Sequence, residues 1–179
     1  MRVHFGEVIL GMKTNLKLLK ASISNISGMV RGLSNEQLNE IPTGYSNNII
    51  WNMAHLIVTQ KLLIYGLSNN ELNLDDGFLE TYRKGGKPNG VVSEDECKSI
   101  ILLFDYLYTE LEQDLEVLDF SNFKVYPTSY NFEITNLDEA VINKHFYRYQ
   151  KIIKDLFNER IKGVIEIKSQ KKNSRRPGR

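Results

Sequence analysis

The chain has 179 residues, of which 41% are hydrophobic and 25% charged, with a formal net charge of +1. That length suits one domain with a real core, and the composition excludes a disordered or fibrous chain. No apolar run approaches the roughly 20 residues of a bilayer span, so no membrane association is expected.

The N-terminus, Met1-Arg2-Val3-His4-Phe5-Gly6-Glu7, has no signal-peptide pattern, because a glutamate breaks the apolar run and no small-residue cleavage site follows. From about residue 8 to residue 30 the apolar positions are Ile9, Met12, Leu16, Leu19, Ile23, Ile26 and Val30. Their alternating steps of 3 and 4 predict a helix with one bundle seam. Gly28 and Gly32 weaken its end. Ser34-Asn35-Glu36-Gln37 predicts a capped short turn of helix ending before Pro42, and Thr43-Gly44-Tyr45-Ser46 a loop.

Asn47 or Asn48 then caps a second long helix that Gly66 ends. It is apolar almost all round, so burial is expected. It holds the only tryptophan, Trp51, and one of three histidines, His55, one turn further along the same face. Core packing is the expected role of Trp51, ahead of a substrate platform.

Residues 68–90 form a connection of unusual length for a compact domain. Leu72, Leu74, Phe78, Leu79 and Tyr82 predict that it packs on the core. Its Gly85-Gly86-Lys87 has neither the spacing nor the preceding strand of a phosphate loop. Ser93-Glu94-Asp95-Glu96 reads as a capping box opening a third helix, with apolar positions at Cys97, Ile100, Phe104, Leu107 and Leu111 and an end near Leu118.

Cys97, the one cysteine, cannot form an internal disulfide, which fits a cytoplasmic chain. A helix N-terminus lowers thiol pKa values, but a packed side chain is the commoner fate of a single cysteine. Glu110, Glu112, Asp114 and Glu116 read as a solvated face.

Residues 120–135 are expected to be irregular. Asn136 and Glu139 repeat the capping arrangement before a fourth long helix over about 137–161. Val164-Ile165-Glu166-Ile167 alternates as a short strand or a helix end would. Residues 168–179 carry six Lys/Arg and no acid. With those six taken from the net charge of +1, residues 1–167 stand at −5. The tail is expected to be disordered and solvated. It has no aromatic interleaving and no recognised motif, so nucleic-acid binding is not expected. The fold class is therefore all-α: a four-helix bundle over 1–167, with long connections between helices two and three and between three and four, and a basic tail over 168–179.

Several stretches together resemble the DinB-like family of four-helix bundle proteins. They are Trp51-Asn52-Met53-Ala54-His55-Leu56, then Val58-Thr59-Gln60-Lys61-Leu62-Leu63 and Leu67-Ser68, then Tyr82-Arg83-Lys84-Gly85 with Lys87-Pro88, and Tyr126-Pro127-Thr128-Ser129. The resemblance spans roughly residues 16–157. It implies a divalent metal, such as Zn or Ni, held by three histidines: one matching His55, and two others four residues apart on helix four. It also implies thiol-dependent transferase, isomerase or hydrolase-like activity, and often a homodimer.

Helix four departs from that pattern, because it contains one histidine, His145, and no His-x-x-x-His. Two registers are open. In one, His145 and Tyr149 take the two ligand places. In the other, Tyr147 and Lys151 take them. A neutral phenol loses its proton only near pH 10, and a lysine brings positive charge, so either register weakens a metal site. The metal candidates are therefore His55 and His145, with a buried, hydrogen-bonded His55 preferred to a ligand and no cofactor expected. The expected function is a small-molecule binding or interaction module that forms a homodimer and has lost the complete triad. The alternative is a metal-dependent, thiol-dependent transferase or hydrolase around His55.

Overall fold

The computed structural model describes the backbone of residues 3–128, 131–142, 153–155 and 158, and the side chains of the same residues from 12 onward. Helix α1 (Val3–Val30) starts five residues before the apolar seam suggested and runs through Gly28. Its seam is as spaced in the sequence: Met12, Leu16, Leu19, Ile23, Ile26 and Val30 are all buried. Along this seam α1 packs on the helices called α5 and α6 below.

The short helix α2 (Asn35–Asn39) begins with a complete capping box, in which the Ser34 hydroxyl accepts from the Gln37 amide and the Gln37 side chain accepts from the Ser34 amide. Its last residue joins three segments. Asn39 Nδ2 donates to the Val92 carbonyl at 3.0 Å, Val92 N donates back to Asn39 Oδ1 at 2.8 Å, and Asn48 Nδ2 donates to the Asn39 carbonyl at 3.0 Å.

Helix α3 (Ile49–Lys61) is capped by Asn48, whose Oδ1 accepts from Trp51 N at 2.8 Å. Of its 13 residues only Thr59 is not buried. Burial of this kind contributes about 1.5–3 kcal/mol for each large apolar side chain, which places α3 at the centre of the fold. It continues as a π-helical turn, Leu62–Gly66. Ser68 Oγ then donates to the Ile64 carbonyl at 2.7 Å and lies 3.1 Å from that of Tyr65, occupying carbonyls that the helix end leaves open.

The long connection is not a bare loop. Asp75 caps helix α4 (Asp76–Tyr82), accepting from Phe78 N at 3.0 Å. Leu72, Leu74, Phe78 and Leu79 pack on the core and Tyr82 is buried, as their apolar character predicted. The chain then turns sharply. Gly85 has φ +97°, and a Cβ on Gly86 would lie 2.5 Å from the Thr81 carbonyl oxygen, so only glycine fits there. The paired glycines thus serve a tight turn.

Helix α5 (Glu94–Val117) is opened by Ser93, which accepts from Glu96 N, and buries Cys97, Ile100, Phe104, Leu107 and Leu111 against α1 and α3. The segment expected to be irregular contains a two-residue antiparallel pair, β1 (Tyr126–Pro127) with β2 (Glu133–Ile134), in the register Tyr126 to Ile134. Thr128 N donates to the Phe132 carbonyl at 2.8 Å, and Asn131 adopts φ 55° between the strands. Alternation over so few residues gives no sequence signal for a ladder.

Asn136 caps α6 (Leu137–Val141) by accepting from Glu139 N at 3.0 Å. Asp138 on its first turn accepts from Asn15 Nδ2 at 2.8 Å, tying α6 to α1. Residues 153–155 are again helical, with Ile153 buried. Ile142 leaves the helix at φ −98° and ψ 11°, so the continuous fourth helix expected over 137–161 is interrupted there. Apart from residues 153–155 and 158, the remainder of it, the alternating stretch at 164–167 and the basic tail lie outside the described residues. The described architecture is an all-α helical bundle, and none of its described helices is long and apolar enough to cross a membrane.

Candidate functional site

A single stripe of α3 and its π-helical turn lines a cavity of about 320 Å³. The stripe consists of His55, Thr59, Leu62, Leu63 and Gly66, at offsets 0, 4, 7, 8 and 11, which share one helix face. Leu67 extends it, Lys84 comes from the turn after α4, and Tyr126 comes from β1. The volume falls at the lower end of the roughly 300–1,000 Å³ common for small-molecule pockets.

His55 is 2% exposed. Its Nδ1 lies 2.6 Å from the backbone carbonyl oxygen of Tyr82. A carbonyl only accepts, so Nδ1 carries the proton, and in the neutral ring Nε2 bears the lone pair. Nε2 lies 3.4 Å from Oγ1 of Thr59, which also lines the cavity. Trp51 stacks on the ring from the preceding turn, with centroids 5.0 Å apart and planes 11° from parallel. Tyr82 tilts against Trp51 at 6.3 Å, and Phe78 against Tyr82 at 4.7 Å. Trp51 is 3% exposed and is not among the described cavity residues, so it packs behind the histidine. Burial raises the Tyr82 phenol pKa first, with the charge of Glu96 adding to it.

The residues Tyr82, Lys84, Leu67 and Tyr126 belong to the very stretches that carry the family resemblance. They are separated in sequence and meet around His55. Periodicity along α3 points to Thr59, Leu62, Leu63 and Gly66 once His55 is taken as the reference. Lys84 and Tyr126 have no such local signal. His145, Tyr147, Tyr149 and Lys151 lie outside the described residues.

A second polar cluster lies between α3 and α5. Lys61, fully buried, ion-pairs with Glu110, and its Nζ sits 4.6 Å from the centroid of the Tyr65 ring. The Tyr65 hydroxyl donates to Asp114 Oδ2 at 2.7 Å. Burial, and then the hydrogen bond to Asp114, push the Tyr65 phenol pKa far above its ordinary range. The expectation that Glu110 and Asp114 lie on a solvated face is therefore corrected. They stand four apart on the side of α5 facing α3, where a buried ammonium and a buried phenol require partners. Glu112 is exposed and accepts from Tyr108 at 2.7 Å, and Glu116 is exposed.

Cys97 is buried. Burial raises its thiol pKa, outweighing a contact with Asn39 that lowers it. The packed reading holds, and the helix N-terminus does not yield a reactive thiolate.

Among the described residues no group of three His, Cys, Asp or Glu side chains converges as metal ligands would. The described cavity lining supplies one imidazole, one aliphatic hydroxyl, one phenol and one ammonium, with apolar side chains between them. An ammonium without a carboxylate or thiolate is poor company for a divalent cation, so this part of the donor set does not by itself fit one.

The fold is a helical bundle with a buried, carbonyl-anchored histidine facing a small cavity. The model of the DinB superfamily matches residues 18–142, and the chain belongs to that superfamily. No curated protein and no solved structure matches the chain.

Proposed function

We propose that this DinB-superfamily protein is a small-molecule binding module whose three-histidine metal centre is incomplete. The observation that carries the reading is the cavity on the His55 face, where Lys84 stands in place of further anionic or imidazole donors among the described lining residues. The apolar residues Leu62, Leu63 and Leu67 supply contact area, and Thr59, Tyr126 and Lys84 supply the few polar groups that orient a ligand. A homodimer formed through a helix face belongs to the same proposal, and sedimentation of the purified protein tests it.

The metal content of protein purified without chelator tests the incomplete centre. Substoichiometric metal, unchanged in His55→Ala, is expected. Near-stoichiometric Zn, Ni, Mn or Fe that disappears in His55→Ala would overturn it.

One observation favours a second reading, a metal-dependent transferase or hydrolase acting with a thiol. Donation from Nδ1 to the Tyr82 carbonyl fixes the tautomer that leaves Nε2 as a donor atom, the usual arrangement of a ligating histidine. That reading requires His145 as a second ligand, so loss of bound metal in His145→Ala is its own requirement.

A further inference from the structure

We infer that the His55 cavity takes a small organic anion with an apolar tail, its charged group at Lys84 and its tail on Leu62, Leu63 and Leu67. The inference rests on the binding-module reading and names the ligand class. No aspartate or glutamate is among the described residues lining the cavity. Among the described residues Lys84 has no ion-pair partner, although the neighbouring Arg83 pairs with Glu80 at 3.1 Å. Lys84 is also held in place by its own backbone. The Tyr82 carbonyl two residues earlier is bound to His55, and Gly86 N donates to the Arg83 carbonyl at 3.0 Å to close the turn. A cation thus stands on a braced turn at the edge of an apolar cavity. Tyr126 lines the same space with a neutral phenol, and Thr59, whose hydroxyl faces His55 Nε2 at 3.4 Å, lines it beside the ring. A carboxylate with a short alkyl or aryl tail satisfies this lining. A cationic ligand would meet Lys84, and a neutral apolar one would leave its charge unused.

Trp51 is the only tryptophan and stacks on a cavity-lining ring, so its fluorescence reports on the site. Octanoate, 1-octanol and octylammonium are titrated into the full-length protein below their aggregation concentrations, followed by fluorescence and by calorimetry. Octanoate is expected to bind at least about 5-fold more tightly than octanol, and octylammonium most weakly. Added salt is expected to weaken octanoate alone. Lys84→Gln is expected to remove the preference for octanoate while leaving octanol binding unchanged. Lys87→Gln, at an exposed position outside the cavity lining, is expected to match the wild type. Equal binding of octanoate and octanol, or unchanged octanoate binding in Lys84→Gln, overturns the anion assignment and leaves the pocket standing. Titrations with all three probes that change neither the Trp51 fluorescence nor the heat at two temperatures overturn the assignment and the pocket together. Stoichiometric metal strikes only at the incomplete centre.

Discussion

His55 donates from Nδ1 to the carbonyl oxygen of Tyr82 at 2.6 Å, across 27 positions of sequence. This bond joins α3, the most buried of the described helices, to the connection that follows it. It fixes the histidine tautomer and, two residues further on, the place from which Lys84 reaches the cavity.

Removing the imidazole leaves the Tyr82 carbonyl without its donor and opens space beside Trp51. His55→Ala is expected to cost about 2–4 kcal/mol, combining an unsatisfied buried acceptor with a core cavity. Urea unfolding measures it. Faster amide exchange over residues 79–86 is the local signature. A loss below about 0.5 kcal/mol would show that the connection is held by its apolar contacts alone.

The ion pair of Lys61 with Glu110 behaves as a buried pair on one side and a half-buried one on the other, with side-chain exposures of 1% and 16%. Lys61→Ala is expected to destabilise by about 3–5 kcal/mol, because Glu110 then loses the cation that faces it. Combining Lys61→Met with Glu110→Gln is expected to recover a substantial part of this loss. Denaturant melts of the single and double variants check it, and full additivity would contradict the coupling.

Stability is expected to be lost on the alkaline side. The Cys97 thiol and the Tyr65 and Tyr82 phenols have folded-state pKa values above their ordinary ones, each with burial as the largest cause. The unfolded chain therefore ionises first. The stability these groups contribute is fully present below about pH 8.5 for the thiol and about pH 10 for the phenols, and falls as pH rises from there. Melting temperatures across pH 7–11 read this directly. In the same range native Cys97 is expected to react slowly with iodoacetamide and rapidly in urea, and fast native modification would contradict its burial.

Asn48 supplies the cap of α3 and also donates to the Asn39 carbonyl. Asn48→Ala is expected to cost about 1–2 kcal/mol. Asn48→Ser keeps a cap acceptor without burying a charge against the Asn39 carbonyl and loses the donor, so it is expected to cost less. Thermal unfolding of both variants ranks them, and the reverse order would contradict this division of labour.

The sequence by itself determined helices α1, α2, α3 and α5, their buried faces and the superfamily, whereas α4 was read only as a packed connection. Steps of 3 and 4 placed Met12 to Val30 and Cys97 to Leu111 inward, and the caps at Ser34, Asn48, Ser93 and Asn136 were readable because a cap and its partners lie within a few residues. The burial of His55 followed from the apolar surroundings of its own helix. Only the tertiary structure decided what His55 faces. Lys84 and Tyr126 reach the cavity through the packing of two connections, and Lys61 meets Glu110 through the contact of two helices. Neither leaves a local periodicity, because their geometry is set by how distant surfaces fit and by the need to give each buried charge and carbonyl a partner.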